Sequence, residues 1–197
     1  MKVAAILLAG GESSRMGTPK PLLEWGGGTL IEYQLAQLLA PPVDRVVVVL
    51  GHRADEVRPL VHRAGGSAVI NELYREGRAS SLRVGAAILG EDTEAVLLLN
   101  VDQPRPHSVI ERLVAEHRRL GNLISVPAFQ EKRGHPPLLS GSLLGELREV
   151  REASQGLRGL MKAHDSEVQE VAFDTEIVLL DVNRPDEYER ARASYFK

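Results

Sequence analysis

The chain of 197 residues contains no cysteine. That absence excludes disulfides, thiolate metal sites, iron–sulfur ligation and cysteine nucleophiles together. Aromatic residues make up only 4%, with Trp25 as the single tryptophan. Base-stacking platforms for single-stranded nucleic acid are therefore not expected, and the core must be aliphatic. A basic excess is also missing: 24 Lys and Arg stand against 27 Asp and Glu, for a formal net charge of −3, which argues against a nucleic-acid partner. The longest aliphatic stretches, Ala4 to Ala9 and Val46 to Leu50, fall far short of the roughly 18 residues of a membrane-spanning helix. A single charge, Lys2, precedes the first of them, which ends in Gly10-Gly11 without a small-residue cleavage site. It reads as a buried strand rather than a signal peptide, and the chain is expected in the cytoplasm.

What is present suits one α/β domain over residues 1–197, with 43% hydrophobic and 26% charged positions. Val3 to Leu8, Arg45 to Leu50, Ala95 to Asn100 and Leu123 to Val126 read as strands buried on both faces. Thr29 caps a helix from Leu30 to Leu39 that stops before Pro41-Pro42. Further helices are expected from Ala54 to Arg63, from Ser80 or Ser81 through Leu89, and after Ser108. This β-α-β-α order implies a mainly parallel sheet with helices on both faces. Beyond Pro136 the pattern gives helices near Gly141 to Val150 and Leu157 to Ala163, strands near Val168 to Ala172 and Ile177 to Leu180, and a last helix from Pro185.

In such sheets ligands bind beyond the carboxyl ends of the strands. The first strand runs into Gly10-Gly11-Glu12-Ser13-Ser14-Arg15-Met16-Gly17-Thr18-Pro19-Lys20. The glycines let backbone N–H groups approach a phosphate or a base edge, and Arg15 and Lys20 add charge. Neither G-x-G-x-x-G nor the P-loop pattern fits this spacing, which disfavours a nicotinamide dehydrogenase. Asp102 follows another apolar strand and is stiffened by Pro104. A carboxylate there can hold Mg²⁺, which takes one or two carboxylates and fills its shell with phosphate oxygens and water; it can equally serve as a turn or helix cap. Ser80 and Ser81 are candidates for phosphate contact or for a plain N-cap. The histidines at 52, 62, 107, 117 and 164 show no metal-ligand spacing.

Leu8-Ala9-Gly10-Gly11 with Ser14-Arg15-Met16-Gly17 and Pro19-Lys20 resembles the signature of the MobA-like nucleotidyltransferases, which attach a nucleotide to the molybdenum cofactor. Glu76-Gly77-Arg78-Ala79-Ser80-Ser81-Leu82, Asp102-Gln103-Pro104, Arg133-Gly134-His135-Pro136 and Asp181-Val182-Asn183-Arg184-Pro185 resemble the same branch, in the same order along the chain. The later segments are most similar to molybdenum cofactor cytidylyltransferases. The resemblance implies a three-layer α/β/α, nucleotide-diphospho-sugar transferase (GT-A-like, Rossmann-like) fold. It further implies an NTP, CTP or alternatively GTP, as donor and molybdopterin as phosphorylated acceptor, with a molybdoenzyme as a transient contact. Gly10 stands where the cytidylyltransferase pattern has Ala and the guanylyltransferase pattern has Gly; a methyl group there is expected to change the space for a purine.

The site expected on this basis has Arg15, Lys20 and Asp102 as catalytic residues. Leu8, Ala9, Gly10, Gly11, Arg15, Lys20, Asn71, Ser80 and Ser81 bind the nucleotide, and Asp102 and Asn183 hold Mg²⁺ with Asp181 as a weaker candidate, a helix cap before Pro185 being the alternative for Asn183. His135 meets the acceptor or a phosphate, or else only fixes its loop by hydrogen bonding. The reaction would be attack of an acceptor phosphate on the α-phosphorus with loss of pyrophosphate. Sugar 1-phosphates and alcohol phosphates are alternative acceptors. A nucleotide-binding module without catalysis is the alternative from another class.

Overall fold

The computed structural model describes residues 1–13 and 16–196. Strand β1 (Val3–Leu8) is aliphatic throughout and buried except at its last residue, and it forms the middle of the sheet. It pairs in parallel with β4 (Arg45–Leu50) on one side and β6 (Ala95–Asn100) on the other. The parallel strand β5 (Ser67–Ile70) completes the first edge. Beyond β6 come β9 (Leu138–Ser140), antiparallel to both of its neighbours, then β7 (Ile124–Phe129) and β10 (Val168–Ala172), with β8 (Lys132–Arg133) paired to β7. The sheet is therefore mixed and mainly parallel. A separate hairpin, β2 (Glu24–Trp25) and β3 (Gly28–Thr29), turns through Gly26 and Gly27 at φ of 62° and 85°, as a two-residue turn of this hand requires.

The two faces of β1 feed separate cores. Val3, Ala5 and Leu7 join one cluster with α1 (Leu30–Leu38), α2 (Ala54–Arg63), α4 (His107–Leu120) and α7 (Pro185–Tyr195). Ala4 and Ile6 join the other with α3 (Arg78–Ile88), α5 (Leu144–Glu149) and α6 (Gly156–Ala163). Alternation along one strand thus fixes a three-layer α/β/α sandwich. None of the described helices is long and apolar enough to cross a membrane.

Most expected elements appear, and the differences have local causes. Helix α1 starts at Thr29 with a full capping box, in which Glu32 N donates to Thr29 Oγ1 while Glu32 Oε2 accepts from Thr29 N. Helix α3 does not start at Ser80 or Ser81. It starts at Arg78 after Gly77, whose φ of 106° only glycine adopts readily. The expected strand over Ile177 to Leu180 is instead a 3₁₀ turn, Glu176–Leu179. Strands β5, β8 and β9 and the β2–β3 hairpin are additional to the reading of the sequence.

Strand order places a switch point between β1 and β6. From β1 the chain crosses to β4 and β5 and returns to β6 on the opposite side, with Leu8 in register with Asn100. The loops after these two strands diverge, opening a cleft at their carboxyl ends.

Candidate active site

Both walls of the cleft are backbone turns held by specific bonds. In the loop after β1, Ala9 N donates to Val49 O at 2.9 Å and Gly10 O accepts from His52 N at 3.0 Å. A Cβ on Gly10 would lie 2.9 Å from Gly51 N, whereas one on Gly11 would meet nothing within 4 Å. Gly10 is thus required by packing against the end of β4, and Gly11 leaves space open toward the cleft. A methyl group at position 10, expected to change the space for a purine, would have to shift this loop against the end of β4. The added methyl points at Gly51. Further along the loop, Ser13 Oγ accepts from Lys20 N at 3.0 Å. Arg15, an expected catalytic and nucleotide-binding residue, lies outside the described residues, as does Ser14.

The opposite wall is the turn after β6. Gln103 N donates to Asn100 O at 3.0 Å, and Gln34 Nε2, from buried α1, donates to Gln103 O at 2.8 Å. Val182 N donates to Asp102 O at 2.8 Å, which brings the Asp181–Asn183 segment alongside. Lys20 spans the cleft to this wall: its Nζ donates to Asp102 Oδ2 at 2.6 Å and to Asn183 Oδ1 at 2.8 Å. The Lys20 and Asp102 side chains are 13% and 11% exposed, so the pair is largely shielded from water and its attraction is little screened.

Asp102 and Asn183, the expected metal ligands, therefore converge on one cation position, held in this structure by the Lys20 ammonium. Next to them Asp181 Oδ1 is buried without a hydrogen-bond partner. Among the described residues no group of three or more His, Asp or Glu side chains could hold a metal alone. This donor set fits a hard divalent ion that takes few protein oxygens and completes its shell with phosphate oxygens and water.

The other expected nucleotide contacts divide by location. Leu8, Ala9, Gly10, Gly11, Lys20, Ser81 and Asp102 line one lobe of the cleft, with a volume of about 230 Å³. Asn71 is buried: its Nδ2 donates to Ser80 Oγ at 2.8 Å and Ser81 Oγ at 2.9 Å, and its Oδ1 accepts from Leu73 N. Ser80 Oγ donates back to Leu73 O and Gly77 O. Asn71 and Ser80 thus spend these polar atoms on the turn before α3, and Ser81 faces the lobe.

His135 lies in a second lobe of about 320 Å³, which shares Leu8, Arg78 and Asn100 with the first. Its imidazole is half-buried, and burial above all pushes its titration below the ordinary histidine value, with Arg105 and Arg78 adding to the shift and Asp181 and Asp102 opposing it. Arg78 and Arg158 line the same lobe.

Sequence reasoning missed Arg105. It is fully buried in the turn after Asp102 and bonds four backbone carbonyls around the site. Its one signal was position, three residues past Asp102, and a lone arginine in a turn ordinarily reads as a solvated charge.

Comparison with known proteins places this geometry in context. Across 98% of the chain and 97% of the relative, it is 28% identical to the molybdenum cofactor cytidylyltransferase of Escherichia coli (strain K12). It is 29% identical, over 81% of each chain, to nicotine blue oxidoreductase of Paenarthrobacter nicotinovorans. A crystal structure of Rv0371C from Mycobacterium tuberculosis H37Rv in complex with manganese superposes with a TM-score of 0.80 at 27% identity, covering 98% of this chain and 100% of that one. Residues 5–168, from within β1 to the start of β10, match the MobA-like NTP transferase domain, and the chain belongs to that family of nucleotidyltransferases.

Proposed function

We propose that the protein transfers a nucleoside monophosphate from CTP to the phosphate of molybdopterin or its metal-loaded form, releasing pyrophosphate. It would act as one domain, residues 1–197, in the cytoplasm. GTP is the alternative donor, and a sugar 1-phosphate or alcohol phosphate the alternative acceptor. The observation that carries this reading is the Lys20–Asp102–Asn183 cluster, set where the β1 and β6 loops part and beside a glycine loop whose Gly11 leaves room for a close ligand.

An oxygen of the acceptor phosphate would attack the α-phosphorus, and the bond to the pyrophosphate oxygen would break. Both reactants are anionic, so alignment and charge screening supply most of the rate. Asp102 and Asn183 would hold Mg²⁺, which supplies charge neutralisation at the phosphate oxygens. Lys20 would leave Asp102 for the α-phosphate, exchanging one anionic partner for another. Arg15 would face the departing pyrophosphate. Leu8, Ala9, Gly10 and Gly11 would receive the base along their backbone, with Asn71 and Ser80 fixing Ser81 toward the phosphates. The second lobe would take the acceptor, with Arg78 where the lobes join and His135 as an uncharged hydrogen-bonding group. A molybdoenzyme would receive the product in a transient contact.

The test is a matrix of CTP, GTP, ATP and UTP against molybdopterin, a sugar 1-phosphate and an alcohol phosphate, reading pyrophosphate with Mg²⁺ present or chelated. Metal-dependent release with CTP and molybdopterin is the expected result. Release that survives chelation would remove Asp102 and Asn183 from the metal. A parallel absorbance assay with nicotinamide cofactors covers the oxidoreductase name borne by one relative; hydride transfer without pyrophosphate release would overturn the reading.

A further inference from the structure

Arg105 has no solvent exposure, yet no carboxylate forms an ion pair with it among the described residues. Its guanidinium is instead spread over three stretches of chain. Nη1 donates to Pro104 O at 2.8 Å within its own turn and to Leu180 O at 2.9 Å; Nη2 donates to Val178 O at 2.9 Å; Nε donates to His135 O at 2.8 Å. Its backbone N–H reaches Gln34 Oε1 at 3.4 Å. Four of its five N–H bonds thus go to carbonyls in a fixed planar fork, which lysine cannot reproduce.

Each stretch ends in a residue of the site. Pro104 follows Asp102, the carbonyl of His135 belongs to the cleft histidine itself, and Leu180 leads through Asp181 to Asn183. The carbonyl of Val178 also accepts from His135 N at 2.9 Å, and Gly134 is so close that any Cβ there would collide with it. No regular ladder joins the His135 loop to the 178–183 stretch; the guanidinium and this one shared carbonyl do. Asp181 and Asp102 offset part of the cost of burying this charge, and an apolar side chain in its place would leave four buried carbonyls without a donor. The same four bonds fix the three stretches relative to one another, because a planar fork holds its acceptors at set directions.

We infer that Arg105 is a positioning residue for nucleotidyl transfer, fixing His135 and Asn183 in relation to Asp102. The inference rests on the functional reading above for its reaction. The residue touches no substrate in this role; it sets the separation between the lobe expected to hold the acceptor and the carboxamide and carboxylate that meet Lys20. A misplacement on the order of 1 Å at such a site costs about 10²-fold in turnover.

The experiment compares wild type with Arg105→Lys and Arg105→Met, using steady-state kinetics at a temperature where each melts as a folded protein, and NMR titration of the His135 imidazole. Arg105→Lys keeps a positive charge and most of the length, so it carries the test if the methionine variant does not fold. The expected result is a kcat lower by about 10²-fold in both variants, a KM for the nucleotide within about threefold of wild type, and no rescue by lysine. In both variants the His135 titration should move up, since a displaced loop loses part of the burial that chiefly lowers it; Arg105→Lys keeps the cation, so its shift reports displacement rather than lost charge. Lysine restoring full turnover would overturn the inference, as would an unmoved His135 titration in the lysine variant. The NMR readout requires no substrate. A wild-type chain that transfers no nucleotide would therefore defeat the functional reading separately, while the His135 shift still decides whether Arg105 governs the site.

Discussion

Gly10 and Gly51 pack backbone against backbone: a Cβ on Gly10 would come 2.9 Å from Gly51 N, and one on Gly51 would come 2.7 Å from Gly10 O. Gly11, one residue on, has open space around its missing Cβ. The two glycines of the loop therefore answer to different constraints. Gly10→Ala should lower stability by about 1–3 kcal/mol, the usual cost of overpacking. Gly11→Ala should stay within about 0.5 kcal/mol of wild type yet raise the KM for the nucleotide. Urea melts and initial rates on both variants check this; equal stability losses would contradict the assignment.

The Lys20–Asp102 pair supports a second prediction. Each side chain is nearly dry, so removing one strands the other. Asp102→Ala and Lys20→Met should each cost about 3 kcal/mol, the lower end for buried pairs, and the double variant should recover part of that loss. Turnover should fall on the order of 10²–10³-fold in every case. Stability that returns in the double variant without activity would separate the structural and chemical roles of the pair. Additive stability losses would show that the two groups do not interact.

Much of this fold was legible because burial on both faces leaves an aliphatic trace, as in Val3–Leu8, and because Thr29 and Glu32 spell out a helix start. The β7–β8 hairpin left no such trace. Its turn uses Gln130 and Glu131 at φ of 47° and 64°, where Asn-Gly or Asp-Gly would have been the recognisable signal. The Ile177–Leu180 run is apolar enough to read as a strand, but the carbonyls of Val178 and Leu180 are taken by Arg105 and, at Val178, also by His135 N rather than by a neighbouring strand. Asp102 and Asn183 could be named from the sequence because each follows an apolar run, and Lys20 because it adds charge to the glycine-rich loop after the first strand. Their mutual bonds could not, since they depend on which strands become neighbours. Arg105 was invisible for the same reason: three distant segments bury it.

Two histidines away from the cleft should give pH effects of opposite sign. His164 is held by Glu167 and Glu146, which raise its titration above the ordinary value near 6.5. Its contribution is therefore complete below that value and lost as pH rises through the folded-state titration. His117 is buried against Ser125 Oγ at 2.9 Å, and burial lowers its titration. Its contribution is present above 6.5 and lost as pH falls through the depressed folded-state value. Relative to wild type, His164→Gln should melt lower at pH 5.5 and unchanged at pH 9. His117→Asn should flatten the wild-type loss of stability on acidification. Parallel pH profiles for wild type and both variants would show that neither linkage operates.

Helix α3 is capped from a distant segment, and this makes the junction of the two lobes testable. Glu152 Oε1 accepts from Ala79 N at 2.6 Å, and a Cβ on Gly77 would overlap the same glutamate side chain. A carboxylate among the free N–H groups of a helix start satisfies a donor and complements the dipole. Arg78, the first residue of α3, borders both lobes, so its direction depends on this cap. Glu152→Ala should cost about 1 kcal/mol, as loss of a cap ordinarily does. It should also raise the KM for the acceptor more than that for the nucleotide, because Glu152 itself lines only the second lobe. Glu152→Gln keeps an oxygen acceptor at the same distance and should restore most of both. Kinetics in which the alanine variant changes only the nucleotide KM would place the influence of Glu152 on the first lobe instead, and would sever the proposed link between the cap and acceptor binding.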